Sequence, residues 1–410
     1  MLLSMPRLGD RYSPLYFLAA LGAGGLMVSF FMYLMFWVPH EGRPVPVFED
    51  IFAVLQTGSV PLKAAVIIAW VGIAVFAYLH IRLLIWNLGE FAAFRKTDAY
   101  SDLVKSNAET QLLAVPLTLA MSVNGGFILG LVYVPGLWSI VEYLFPAALA
   151  AFALIGFYAF RLLGDFFGRV LTGGGFDCLK NNSFAQLLPA FALAMVGVGL
   201  AAPAAMSTTK AVAASSLILS TFFIVSAVVM GTVALFLGFR AMLENGASAE
   251  AAPTLWVAIP IVTVVSIALM RQGHGTHVHL DVHGNAADTF LMLTDLLAVQ
   301  VLFGLLGALV LKRQGYFGTY VFGPLKSVGS YALVCPGVAL TVMLHFYVNK
   351  GLAGAGIVDK FSAGYWTVTA LALVLQFATI YLVFKLNAKH FGQSDALAHQ
   401  QQGGSVHPAE

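Results

Sequence analysis

The sequence predicts an all-α integral membrane protein, and three observations point there. Of its 410 residues, 60% are hydrophobic and only 10% are charged, where a soluble domain carries roughly a quarter charged. Its mean hydropathy is +0.86, and the apolar residues fall into long runs instead of alternating with polar faces. Ten of these runs approach the ~20 residues needed to cross a hydrocarbon core about 30 Å thick. They lie at about 14–36, 62–87, 111–133, 138–162, 183–204, 211–238, 253–270, 288–311, 327–348 and 362–384.

The first run is as long as a spanning helix and lacks the short apolar core and small-residue cleavage site of a signal peptide, so it is expected to stay in the membrane. An even number of spans puts both termini on one side. Of the 21 Lys and Arg residues, 15 fall on that side and 6 on the other, which predicts cytoplasmic termini. Residues 1–390 read as one transmembrane domain, and 391–410 as a polar tail expected to be disordered.

Several function classes find no support. Cys178 and Cys335 form no CxxC, so neither a disulfide framework nor a paired zinc motif is indicated. The net charge of +2 comes with no basic tract, which gives no reason to expect nucleic acid. There is no CxxCH, Walker phosphate loop or HExxH.

The odd-numbered runs share a feature. Four contain proline: Pro116 in LLAVPLTLA, Pro189 in QLLPAFALA, Pro260 in WVAIPIVTV and Pro336 in ALVCPGVAL; the first has Gly22, Gly24 and Gly25 instead. Among the even runs only Pro146 is clearly interior. A proline removes an amide donor, and irregular backbone is tolerated at membrane depth where it faces protein or a water-lined cavity. The pattern therefore predicts five helical hairpins whose parallel, interrupted odd members surround a central pore. As delimited, the odd runs hold no Asp, Glu, Lys or Arg, so the path would offer apolar side chains, hydroxyls and backbone dipoles. Such a lining suits fast passage or weak binding better than a carboxylate relay.

Particular residues along this path stand out. Cys335 precedes Pro336 near the centre of SYALVCPGVALTVMLHF, at the start of the outward half of a helix broken at the proline, where the dipole favours a thiolate while apolar surroundings oppose it. A thiol that meets the solute and a thiol that merely packs as a small hydrophobe both remain open. Asn124, beside Gly125 and Gly126, could form a polar notch, and Phe191 and Phe346 are candidate plugs. Cys178 reads as incidental.

Outside the path, RQGHGTHVHLDVHG places His277, His279, Asp281 and His283 on one face if extended, a set sufficient for Zn or Cu. They equally suit a polar surface loop. Arg161 and Asp165, four apart, are placed to meet on one helix face, His80 and Arg82 need partners or an interface, and Asp295 reads as a deeper polar contact.

With these residues in view, the chain resembles the ten-span tellurite-resistance and dicarboxylate transporter family, which includes bacterial tellurite-resistance protein A and the slow-type anion channels of plants. The resemblance lies in the hairpins with proline-bearing inner helices and in Tyr331-Ala332-Leu333-Val334-Cys335-Pro336. It implies a quasi-fivefold ring around a pore, a homotrimer, the bacterial inner membrane and a small anionic solute. It also places Tyr331 at a family aromatic and Cys335 where the family has a gating phenylalanine. The TsoY-like branch, some of whose members carry selenocysteine, is similar as well and implies sulfur or selenium chemistry. The expected function is thus a channel or transporter for a small anion or an anionic sulfur- or selenium-type solute. The alternative is a membrane-embedded thiol-dependent oxidoreductase using Cys335.

Overall fold

The structure, a computed structural model, describes residues 5–282 and 284–392. Among the described residues there is no β-strand, and ten helices are long and apolar enough to cross a bilayer. These spans one to ten are Pro14–Trp37, Val60–Phe94, Asn107–Tyr133, Leu137–Gly173, Ala185–Met206, Lys210–Asn245, Ala252–Leu280, Ala286–Arg313, Val328–Leu352 and Ala363–Phe391. The sequence boundaries hold within a few residues at most ends. Spans two, four, six and ten run further toward the terminal side, and span seven continues ten residues beyond 270. The ends of spans one and ten meet, with the Tyr16 hydroxyl 3.2 Å from Nδ1 of His390. Both termini therefore lie on the same side.

Burial follows the parity of the spans. Within the most apolar window of each odd span, 83, 61, 94, 56 and 78% of residues are buried; in the even spans the shares are 39, 33, 22, 17 and 28%. The odd helices therefore sit inside and the even ones outside. Contacts have the same order: span one packs on three, three on five, five on seven, seven on nine, and nine back on one. Each odd span also packs on the even span that follows it.

The prolines act differently from the sequence expectation. Every odd span opens with a 3-10 turn before its α-helix: Pro14–Tyr16, Asn107–Leu113, Ala185–Leu187, Ala252–Trp256 and Val328–Leu333. Pro116, Pro189, Pro260 and Pro336 are the second or third residues of the α-helices that follow. The i→i+3 bonds of the 3-10 turn already stand in for the bond that a proline cannot make, as when the Leu188 amide donates to Ala185 O. These helices are thus joined at a change of helix type and are not broken in mid-membrane. Cys335, the eighth residue of span nine, lies about 13 Å from that span's terminal-side end.

Small residues let the inner and outer layers approach closely. A Cβ on Gly72 in span two would sit 2.5 Å from the Phe30 ring of span one, and one on Gly199 would sit 2.2 Å from the Phe152 ring. Polar side chains staple the same contacts. His80 Nδ1 donates to Ala20 O at 2.8 Å while its Nε2 lies 2.8 Å from Ser122 Oγ, tying span two to spans one and three. Tyr33 donates to Gln376 Oε1 at 2.6 Å, Gln300 to Ile259 O at 2.9 Å and Thr341 to Ala372 O at 3.2 Å.

Two further expectations are corrected. Arg161 and Asp165 form no ion pair: both are exposed, and span four instead reaches its neighbour through Arg169, whose Nη2 donates to Glu109 Oε2 at 2.7 Å. Asp295 is exposed on the outer face of span eight instead of making an internal contact, because the inward face there is taken by Leu293 and Gln300.

Replacing Gly72 with Leu is expected to lower stability by about 1–3 kcal/mol through overpacking against Phe30. Gly89→Ala, on the same helix with nothing within 4 Å of the added methyl, is expected to be neutral or slightly stabilising. Unfolding in detergent, compared between the two variants, checks this.

Candidate functional site

A cavity of about 680 Å³ lies between the odd helices, and all five contribute to its wall. Its deep end is formed by Leu21 and Gly22 of span one, Met121 of span three, Phe191 of span five, Pro260 of span seven and Cys335 of span nine. Gly22 and Gly25 owe their place there to packing: a Cβ on either would lie 2.6–2.8 Å from Val334 or Val338. Above this level the wall includes Asn124, Met195, Thr263 and Val342. Thr263 donates to Ala339 O at 3.1 Å, holding spans seven and nine in register.

The cavity reaches the surface on the side away from the termini, at Pro44, Gly284, Asp288 and Lys350. Toward the termini it stops. One turn below its floor, the residues three or four positions earlier on the same helices are Leu18, Leu117, Leu188, Val257 and Ala332, and all five are buried in one hydrophobic cluster.

Its mouth carries charge that the sequence boundaries had left outside. Span seven was expected to end near 270 and be followed by an extended histidine loop; it is instead helical to Leu280, where Asp281 takes a left-handed conformation with φ 55°. The helix persists because its polar residues find partners. Arg271 Nη1 donates to Val198 O at 2.8 Å, Gln272 to Ser220 Oγ at 2.8 Å, and Gly275 lies directly against the backbone of Ala204. The i, i+3 spacing sets Arg271, His274 and His277 on one helical face, and all three line the mouth together with Lys350 and Asp288.

Of the sequence candidates, Cys335, Asn124, Phe191, Phe346, Pro260 and His277 meet at this cavity. Pro116, Pro189 and Pro336 are buried behind its wall. Tyr331 also lies outside: it donates to Asn387 Oδ1 at 2.9 Å and packs with Tyr16 and His390 beneath the floor. The histidine cluster does not share a face, because a helix separates His277 from His279, whose Nε2 lies 3.0 Å from Ser207 O. Asp281 is exposed beyond the helix end, and His283 lies outside the described residues. Among the described residues no three His, Cys, Asp or Glu side chains gather as metal ligands.

Sequence reading missed Arg271, Lys350 and the methionines. Arg271 was legible in principle, as an ionisable residue directly continuing an apolar helix, but RQGHG looks like a loop. Met32, Met35, Met121, Met195, Met206, Met270 and Met292, more than half of the chain's 13, line this one cavity; methionine has no helical signature separating a cavity wall from a core.

Cys335 is buried, 7% exposed, and among the described residues no hydrogen bond from a His, Asp or Glu reaches its thiol. No protein-family model matches the chain, and no curated protein matches it.

In a Cys178→Ser background, a small neutral maleimide is expected to label Cys335 only from the side opposite the termini, and more slowly than it labels the exposed Cys178 in a Cys335→Ser chain. Labelling by mass spectrometry in oriented vesicles checks this; labelling only after unfolding would show that the cavity does not admit solutes to the thiol.

Proposed function

We propose that this multi-pass membrane protein is a channel or transporter that passes a small anion, or an anionic sulfur- or selenium-type solute, through the cavity between its odd helices. The observation that carries the reading is the shape and charge of that cavity: five helices enclose it, it opens on one face, and among the described residues its mouth carries the cations Arg271 and Lys350, with His274 and His277 beside them, against the carboxylate of Asp288. A low-dielectric, positively lined mouth concentrates anions. The wall below it offers thioethers, a thiol, an amide and a threonine hydroxyl but no fixed charge, so an anion that enters is held weakly and can leave.

The resemblance to the tellurite-resistance and slow-type anion channel family agrees with this reading and extends it to a homotrimer in the bacterial inner membrane with cytoplasmic termini. On that orientation the cavity opens outward and the apolar layer closes the cytoplasmic end. In the family pattern a phenylalanine occupies the place of Cys335; here that place is part of an open floor, and closure falls to the layer beneath. The oxidoreductase alternative is less well supported, since among the described residues no His, Asp or Glu is hydrogen-bonded to Cys335 to take or return its proton.

Liposome flux over chloride, nitrate, sulfite, thiosulfate and selenite tests the proposal. The wild type is expected to pass at least one anion, Cys335→Phe to suppress that flux by filling the floor, and Phe191→Ala to leave it equal or higher. Arg271→Gln with Lys350→Gln is expected to lower flux several-fold at low salt, with the difference shrinking as ionic strength rises. Absence of flux for every anion in the folded wild type, or flux indifferent to Cys335→Phe, overturns it.

A further inference from the structure

We propose that the cavity between the odd helices holds an amphipathic carboxylate, an alkyl or aryl acid whose charged end sits at Arg271 and whose apolar body reaches toward Cys335. The inference rests on the reading of this cavity as the place where the solute is held, and it names the chemical class of that solute.

The charged end is set by the mouth. Arg271 Nη1 donates to Val198 O at 2.8 Å, and among the described residues the guanidinium makes no ion pair and no other hydrogen bond. That bond holds the side chain at the cavity wall and leaves N–H groups for a ligand, in the planar fork that matches a carboxylate. Lys350, on the π-helical turn Tyr347–Leu352 that ends span nine, lines the same mouth. Asp288, the acid among the described lining residues, serves span eight: it accepts from Asn285 N at 3.3 Å as part of a capping box, at the positive end of that helix.

The apolar body is set by what lies beneath. Between Arg271 and the floor the wall is largely methionine, valine and phenylalanine. Its amide and hydroxyl already have partners, since Asn124 donates to Ala120 O at 3.1 Å and Thr263 to Ala339 O at 3.1 Å. A bare inorganic anion finds few free donors there to replace its water, whereas an alkyl or aryl group gains contact along the whole wall. Methionine side chains adapt to such groups whatever their exact shape. The size also fits: about 680 Å³ lies within the range of pockets that bury organic ligands. Pro260 at the floor and Arg271 at the mouth are eleven residues apart on span seven, about 16 Å of helix. An extended chain of about ten carbons, ~13 Å long from its bond geometry, stays within that depth.

Isothermal titration of the full-length protein in phosphatidylcholine nanodiscs, with empty nanodiscs as reference, tests this with butanoate, hexanoate, octanoate, decanoate and octan-1-ol. Wild-type affinity is expected to rise about tenfold for each two carbons added to the acid, with octan-1-ol bound at least about tenfold more weakly than octanoate. Arg271→Gln is expected to weaken octanoate binding about thirtyfold and to leave octan-1-ol unchanged. Lys350→Gln, at an exposed position, gives the same decision with a loss of about two- to fivefold should the arginine variant fold poorly. Lys210→Gln, on the same face but outside the cavity wall, is expected to change nothing. Equal affinity for butanoate and octanoate, octan-1-ol bound as tightly as octanoate, or octanoate binding indifferent to both Arg271→Gln and Lys350→Gln overturns the proposal. Octanoate binding with no flux of any anion sustains it and sinks passage alone; flux of an inorganic anion with no octanoate binding sinks it and leaves passage standing.

Discussion

Hydrocarbon offers no hydrogen bonds, and most of this structure follows from that constraint. A backbone amide or carbonyl left open at membrane depth costs several kcal/mol, which makes every span helical. The same cost decides where the polar side chains of the outer helices point. His80, Asn87, Gln300 and Gln376 all belong to even spans that are otherwise largely exposed, yet each is buried. Each turns inward onto a carbonyl or a phenol of an odd span: His80 onto Ala20, Asn87 onto Tyr16 O while it also accepts from the Tyr12 hydroxyl just before span one, Gln300 onto Ile259, Gln376 onto Tyr33. The outer ring is thereby keyed to the inner one at fixed heights, although both are apolar and could otherwise slide.

Helix association in a bilayer has no hydrophobic drive of its own, so close packing must supply it. Glycine allows the approach, as Gly72 does against Phe30 and Gly337 against Thr379. Gly22 and Gly25 do the same between spans one and nine, and their effect on the cavity is indirect. By letting Val334 and Val338 come in, they set how close those two helices stand and therefore how wide the space between all five remains.

Much of this was legible in the sequence because membrane helices are specified by length and hydropathy, and those signals are long. All ten spans came from them, and the distinction between odd and even helices came from the prolines and glycines of the odd runs. What stayed hidden was set by single contacts. Span seven continues through RQGHGTHVHL because Arg271 reaches Val198 O and Gln272 reaches Ser220; a reading that scores RQGHG by composition ends the helix there and makes the histidines a strand. Tyr331 was read as facing the path from its place in a motif, but its hydroxyl finds Asn387 on span ten, and that bond turns the ring away. The prolines were correctly singled out, yet their meaning changed because a 3-10 turn precedes each one, and no residue pattern announces such a turn.

The small thiol of Cys335 then has a structural explanation independent of its chemistry. A cavity closed by one bulky ring needs that ring at the floor, and a cysteine there would leave it open. In this chain the layer below the floor draws one side chain from each odd helix, Leu18, Leu117, Leu188, Val257 and Ala332, all packed in one cluster. Closure shared among five helices does not depend on the size of any residue above it. The floor position is consequently free to carry a thiol, and what it does with that thiol is limited by access from the open face, since the buried layer separates it from the terminal side. Any shift of such a layer involves the inner helices together, and the junctions between 3-10 and α geometry, which lie within three residues of the layer in each of the five, are where the backbone can change pitch.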